Sequence, residues 1–397
     1  MHKSPSHLRY TIKASVILGF VSAVHISSTL HAHFLASIVL GGYRFLLPGQ
    51  AFVLRIGEVL IILYIDDLVL LSTNQALLEQ LLRTLLGQYR SAGFVVKDSK
   101  LIWPTAKLPI LGLDFDGENH ILAVSAARLE QIRGTCFSMV SSGFASTRQL
   151  QFLLGHVVWS SLVRRPLLSV LCHVYHFMSA CDDVLALRRL WGSVRHEILS
   201  IAYLTPLMFA RLSPHVVKDL LCTDASSVGG AMVRAPMPKS FLSTFHLISG
   251  LPKPFHTKDL TTDVFASRLR SCQWRTCFQT KWRHKDVHIN TLEMITIQMA
   301  VEWMVAHPMT NFRAAVFTDS MVCASVLSKG RTSSPRLIRP LRRISALLLS
   351  VGGSLLIPHV HTSLNPADKP SPHFDSDLGQ SNLFGSHSVD DFGAVWY

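Results

Sequence analysis

A chain of 397 residues has room for two or three domains with buried cores. Hydrophobic residues make up 49% and charged residues 16%, which excludes a disordered or low-complexity protein. Lys and Arg number 38 against 25 Asp and Glu, a net charge of +13 that points to a polyanionic partner. The 7 cysteines are odd in number, scattered, and form no CxxC pair; this excludes a disulfide framework and fits a reducing, intracellular compartment.

In chain order, residues 14–43 hold no Asp, Glu, Lys or Arg and follow Lys3, Arg9 and Lys13, as in a signal peptide or membrane span. His25, Ser27, Ser28, Thr29, His31 and His33 break the run, so we expect it to pack inside a domain and not to enter a bilayer. A membrane-anchored protein is the alternative. Residues 53–71 read as two buried strands of a hairpin, and 75–89 as a helix with Leu77, Leu78, Leu81, Leu82 and Leu85 on one side. Residues 93–96 and 110–115 read as strands. Residues 146–175 and 184–202 read as helices, the first interrupted by Pro166. A second α/β region occupies 216–372, and an irregular tail rich in Ser, Pro, His and Asp follows.

The first region carries IILYIDDLVLLS, with Asp66 and Asp67 adjacent at a hairpin tip between apolar strands. Desolvating two carboxylates there requires a compensating cation, and divalent ions with nucleotide phosphates would supply it; a polar turn is the plainer reading. The full string YIDD resembles the catalytic hairpin of reverse transcriptases. Downstream, GFVVKDSK resembles the segment whose Lys lies near the incoming nucleotide, here matched by Lys100. LPILGLDFD is similar to the hairpin that grips the primer end, and LLGHVVWSSLVRRP resembles the connection of DIRS-type retrotransposons, whose elements use a tyrosine recombinase. LFGSHSVDDF resembles a stretch that follows RNase H in those elements, so the resemblance spans about residues 15 to 393.

The departures are as informative. A polymerase of this family needs a further metal-binding Asp upstream, but the only acid before Asp66 is Glu58. SVILGFVSAVHI resembles the family segment with Ile17, or in a shifted alignment Gly19, where that Asp belongs. The gap between Gly49 and Tyr64 is short for the helix and strand that the family places there, and the fingers region is absent. The resemblance therefore implies a degenerate palm with its polymerase function lost.

In the second region four acids sit in ordered settings. VVKDLLCTDASSVGGAMV places Asp224 near a strand end, and HINTLEMITIQMAVEWM places Asn290 as a helix cap and Glu293 in the first turn. Leu292, Ile295, Met299 and Trp303 form that helix's apolar face. NFRAAVFTDSMVCASVL puts Asp319 at a strand end before a helix, and SLNPADKPSP puts Asp368 at the start of a possible last helix. Taken singly each is an ordinary cap or turn acid. The ordered set resembles the Asp-Glu-Asp-Asp constellation of RNase H, in forms close to those of DIRS-type elements.

That resemblance implies two Mg²⁺ or Mn²⁺ ions, with Asp224 on both, Glu293 and Asp319 on one and Asp368 on the other. A separation of Asp224 and Asp319 above ~10 Å would exclude a shared metal pair. His359 or His361 is a candidate for assisting product release, with an ordinary surface His as the alternative. Between Asp319 and Asp368 there is no acid, while Lys329, Arg331, Arg336, Arg339, Arg342 and Arg343 lie there. Arg336, Arg339 and Arg343 fall at helical spacing, either as a stripe for phosphates or as a solvated face, with Pro340 expected to kink the helix. Cys172, His173, His176 and Cys181 match no common zinc spacing.

The expected fold is thus α/β: an α+β palm remnant over 1–120, a thumb- or connection-like helical region over 121–215, an RNase H-like mixed sheet flanked by helices over 216–372, and a tail over 373–397. The implied partner is an RNA–DNA hybrid, with no membrane and no small-molecule cofactor. A catalytically dead nucleic-acid-binding remnant is the rival function.

Overall fold

In the computed structural model the described residues are 31–35, 37, 43–46, 56–64, 67–238, 267, 269–283, 286–307 and 309–371. They are mixed α/β and fall into two compact units. One holds the residues up to Ser125 with Phe209–Leu212, and the other Ala126–Met208 and the chain from Ser213 onward, apart from 249–251. No helix among the described residues is long and apolar enough to cross a membrane. Most of the 14–43 run lies outside them, including Ile17 and Gly19; His31 and Leu35 are described, and both are buried.

The first unit contains a sheet of β1 (Tyr43–Leu46), β2 (Val59–Tyr64) and β3 (Asp67–Ser72), in that order. β1 runs parallel to β2, and β2 and β3 form the expected hairpin with Tyr64 opposite Asp67. Alternation splits the apolar run between two faces. Val59, Ile61, Leu68 and Leu70 pack under helix α1 (Gln75–Ser91), while Leu60, Val69 and Leu71 form a cluster on the other side. Asn74 caps α1 by accepting from the Leu77 N–H at 3.2 Å, and Leu78, Leu81, Leu82 and Leu85 supply its buried face. Tyr89 is fully buried, hydrogen-bonded to His31, and its phenol is pushed well above its ordinary range by that burial.

A second sheet in this unit joins β4 (Lys107–Ile110), β5 (Leu113–Asp116), β6 (Ile121–Val124) and β9 (Phe209–Arg211). The single strand expected over 110–115 is instead two strands. They turn at Leu111 and Gly112, whose φ values of 45° and 81° give the two-residue hairpin that a right-handed strand twist favours. The strand expected over 93–96 is absent. Gly93 (φ 80°) ends α1, the Phe94 N–H bonds back to the Tyr89 carbonyl at 2.9 Å, and Phe94 and Val96 serve as single apolar contacts against the α1 core.

In the second unit, helices α2 (Ala126–Ser142), α3 (Thr147–Ser161), α4 (His173–Ser179) and α5 (Gly192–Leu204) precede a five-stranded sheet. A short ladder of β7 (Phe144–Ala145) and β8 (Arg188–Arg189) links α2 to α5. The helix expected from 184 begins only at Gly192. Arg188 is held by the Phe177 carbonyl at 2.8 Å and the Thr147 hydroxyl at 3.2 Å, so this stretch pairs as a strand. The break expected at Pro166 falls earlier: α3 ends at Ser161, and Pro166 opens a 3₁₀ turn over Arg165–Val170.

The sheet order is β12 (Arg275–Lys281), β11 (Gly229–Pro236), β10 (His215–Ala225), β13 (Phe312–Phe317) and β14 (Ser354–Leu356). β10 pairs antiparallel with β11 and parallel with β13. Helices α6 (Ile289–Ala306) and α8 (Pro335–Val351) cover one face, and α7 (Met321–Lys329) lies between them in sequence. Leu221, Met232, Phe312 and Val316 meet Met294, Ile297, Val301 and Met304 of α6 and Leu341, Ile344 and Leu348 of α8. On the opposite face Leu220, Cys222, Val233, Ala315 and Phe317 meet Val360 and Ala367. The buried side of α6 is therefore not the expected one: Ile295, Met299 and Trp303 are only half-buried. α8 runs unbroken through Pro340, which is itself buried.

Arginines join the helical part of this unit to the sheet part. Arg164 donates to the Leu348 and Leu349 carbonyls at 3.2 Å each, in the last turn of α8, and Arg165 donates to Ser328 O at 2.9 Å. Gly330, at φ 68°, closes α7, and a Cβ there would collide with the Arg165 carbonyl. Arg342 of α8 reaches Val170 O at 2.9 Å and Glu197 Oε1 at 2.7 Å. Glu197, 5% exposed, also accepts from the backbone N–H groups of Cys172, His173 and Val174 at the start of α4. Glu197→Gln turns an amide donor toward those N–H groups and removes the charge facing Arg342. We expect a loss of roughly 2–3 kcal/mol, measured by urea unfolding of the full chain.

Candidate metal centre and nucleic-acid surface

Three of the four acids in the second unit converge. Carboxylate oxygens of Asp224, Glu293 and Asp319 lie within 4.8 Å of one another, the only such metal-competent group among the described residues. Asp224 stands at the end of the central strand β10. Asp319 follows β13, the strand beside it, just past a bridge between Thr318 and His359. Glu293 is the fifth residue of α6, in its second turn. The cap is His288, whose Nδ1 accepts from the Asn290 N–H at 3.2 Å, so Asn290 lies inside the helix and not at its cap.

Asp224 is 5% and Glu293 6% exposed, so neither charge is relieved by water. Burial, with the charges of Asp319 and Asp368 added, raises the Asp224 carboxyl to about 6; the Ser371 hydroxyl works against this. Burial and then the charges of Asp224 and Asp319 raise Glu293 to about 9, with the Ala225 N–H in partial opposition. Glu293 Oε2 is buried and has no hydrogen-bond partner. An unpartnered buried carboxylate oxygen among two further carboxylates is the donor set a hard divalent cation satisfies.

Asp368 lies outside the trio. It is exposed, in the turn after Asn365, yet near enough for its charge to act on Asp224. Where the expected helix would begin, residues 366–370 form turns, and the residues after 371 lie outside the described ones. His359 Nε2 is 3.0 Å from the Asp319 carbonyl oxygen. His361 is exposed and accepts from the Ser363 N–H, capping a 3₁₀ turn.

The expected basic residues are exposed: Lys329 at the end of α7, Arg331 just after it, and Arg336, Arg339 and Arg343 along one side of α8. Arg343 Nε also donates to Glu302 at 3.2 Å, and Arg342 turns inward to Glu197, so the basic run divides between surface and interior. In the first unit, Asp67 begins β3 and is half-buried, Asp66 lies outside the described residues, and Lys100 is exposed at the end of a 3₁₀ turn. Of the zinc-like spacing, Cys172 is buried and His173 Nδ1 faces Glu197 at 2.8 Å; all 7 cysteines are free.

Residues that sequence reasoning passed over hold the trio in place. Asn365, 5% exposed, donates to Asp224 Oδ1 at 3.3 Å, and Ser371 is buried beside it. Their signal in the sequence was slight: an Asn three places before an Asp, and one Ser among many.

The raised carboxyls set a pH dependence. Asp224 and Glu293 keep their protons in the folded chain at pH values where the unfolded chain, with ordinary values near 4, has lost them. Their contribution is therefore full below about pH 4 and is withdrawn as pH rises toward 6 for Asp224 and 9 for Glu293. Glu293→Gln should melt higher than the parent in EDTA, by a margin that widens from about pH 5 to about pH 8.5. Manganese should narrow that margin. Differential scanning fluorimetry of both chains across that range reads it.

No protein-family model matches the chain, and no curated protein matches it. Solved structures similar to it include a foamy viral protease-reverse transcriptase in complex with RNA/DNA hybrid, at 12% identity and TM-score 0.36 over 92% of this chain and 67% of that one. Another, the dRH form in complex with double-stranded DNA, is similar at 11% identity and TM-score 0.38 over 90% of this chain. A third, in complex with double-stranded DNA, is similar at 10% and 0.38 over 89% of this chain. The chain spans 67%, 57% and 68% of the lengths of these three proteins.

Proposed function

We propose that this chain is a reverse transcriptase–RNase H fragment of a DIRS-type retrotransposon, acting inside the cell. Its second unit hydrolyses the RNA strand of RNA–DNA hybrids, and its palm, over about the first 120 residues, no longer polymerises. One observation carries the nuclease reading: Asp224, Glu293 and Asp319, from a central strand, a helix and the next strand, meet within 4.8 Å with Glu293 Oε2 unpartnered. The separation is well inside the ~10 Å limit for a shared metal pair.

In this reading Asp224 would hold both of two Mg²⁺ or Mn²⁺ ions, Glu293 and Asp319 one of them, and Asp368 the other. Such ions would activate a water and stabilise the leaving 3′ oxygen of a phosphodiester. Asp224 and Asp319 at the strand ends and Glu293 on α6 would hold them, and Asp368, being exposed, is the acid best placed to adjust as substrate enters. Arg336 and Arg339, with Lys329 and Arg331, offer positive charge to phosphates through salt-sensitive contacts.

Incubation of the full chain with an end-labelled RNA–DNA hybrid should give RNA fragments only with Mg²⁺ or Mn²⁺. Single-stranded RNA should stay intact, and cleavage should weaken as salt rises. Asp224→Asn should lower the rate by at least about 100-fold, because a neutral amide cannot hold two cations. Binding of hybrid without cleavage would instead establish the nucleic-acid-binding remnant.

The palm generates a second expectation. With Glu58 the only acid before Asp66, and Glu58 already held by Arg44 at 2.6 Å, no upstream carboxylate remains for a polymerase site. Primer extension on an RNA template should stay at background; incorporation that disappears in Asp66→Asn would overturn this.

A further inference from the structure

We infer that Asn365 is a positioning residue for the metal-binding carboxylates, a role that rests on the nuclease reading above. Its carboxamide is buried at the back of Asp224 and uses both of its ends. Nδ2 donates to the Thr223 carbonyl at 3.2 Å and to Asp224 Oδ1 at 3.3 Å. Oδ1 accepts from the Ala367 N–H at 3.0 Å and from the Cys222 thiol at 3.0 Å. Two of these contacts are with Cys222 and Thr223, the β10 residues just before Asp224, one is with Asp224 itself, and one is with the turn that carries Asp368.

The consequence is geometric. Asp224 and Asp368 come from segments 144 positions apart in sequence, and this amide ties both to one fixed point. A donor on Oδ1 restricts the rotation of the Asp224 carboxylate. The Ala367 N–H bond fixes the backbone one residue before Asp368. The thiol of Cys222 is pushed well above its ordinary value by burial, so it stays a neutral donor to the amide oxygen. Asn365 is buried and bonded to Asp224, so it acts through Asp224 and not on the substrate. Outer hydrogen-bond partners of metal-binding carboxylates are worth roughly 10–100-fold in metal affinity or activity.

Asn365→Ala and Asn365→Asp in the full chain test this. The aspartate keeps the shape and an oxygen for the Ala367 N–H but has no hydrogen to donate to Thr223 O or Asp224 Oδ1, so it carries the test if the alanine chain does not fold. Two readouts are taken: the Mn²⁺ concentration that gives half of the maximal melting-temperature rise, and kcat and KM on an RNA–DNA hybrid. Both variants should need roughly tenfold more Mn²⁺ and show kcat lowered by roughly tenfold or more at one Mn²⁺ concentration, with KM for the hybrid unchanged. A variant that folds and matches the parent in Mn²⁺ dependence and kcat overturns the inference. If the parent chain binds Mn²⁺ but cleaves nothing, the nuclease reading fails and the Mn²⁺ titration alone decides the role of Asn365. A parent chain whose melting temperature ignores Mn²⁺ overturns both.

Discussion

Three carboxylates within 4.8 Å of one another, two of them nearly sealed from water, are an electrostatic load that a folded chain carries only by protonation or by a cation. The second unit is arranged around that load. A central strand ends on Asp224, a parallel neighbour ends on Asp319, and the covering helix α6 brings Glu293 over both. The sheet core beneath, from Leu221 and Val316 to Met294 and Val301, is rigid apolar packing that prevents the acids from relaxing apart. Raised carboxyls are what buried acids crowded together produce, and a divalent ion that neutralised them would meet a set of ligands already in place.

Charge in this protein is divided between work inside and work outside. The net +13 reads at first as a nucleic-acid surface, yet Arg164, Arg165 and Arg342 reach backbone carbonyls and Glu197 within the second unit. Each donates to helix-end or turn acceptors, and together they bind the 3₁₀ turn after α3 to α7 and α8. The compact unit that begins at Ala126 accordingly holds both the helices and the sheet that follows them. Arg336 and Arg339 remain on the outer side of α8, so the helix carries two kinds of arginine on two faces.

Much of this was legible in the residues. The β2–β3 hairpin and α1 followed from alternation and from leucines at helical spacing, because both elements bury one face against a well-defined core. The order of Asp224, Glu293 and Asp319 along strand, helix and strand was also readable. Other features were set by partners distant in sequence. Residues 184–191 carry helix-like apolar spacing, but Arg188 finds Phe177 O and Thr147, and the β7 pairing overrides local preference. α2 was not read at all, since Gly134 and a run of Ser, Thr and Cys blur its stripe. α6 is apolar nearly all round, so its period could not tell Met294 and Ile297 from Ile295 and Met299. Asn365 shows its role only through contacts to residues 142 and 143 positions away.

The two acid sites differ in a way that packing explains. In the first unit, Asp67 is half-buried at the start of β3, and Glu58, the one acid before Asp66, is paired with Arg44 at 2.6 Å. In the second unit no cationic side chain among the described residues joins the carboxylates of the trio; Asn365, Ser371 and the Ala225 N–H meet them, all neutral donors. Neutral donors orient a carboxylate without cancelling its charge, whereas an arginine would do both. A site built from acids and neutral donors keeps its full attraction for a divalent cation, and that choice of partner is what separates a metal centre from a buried salt bridge such as Glu197 with Arg342.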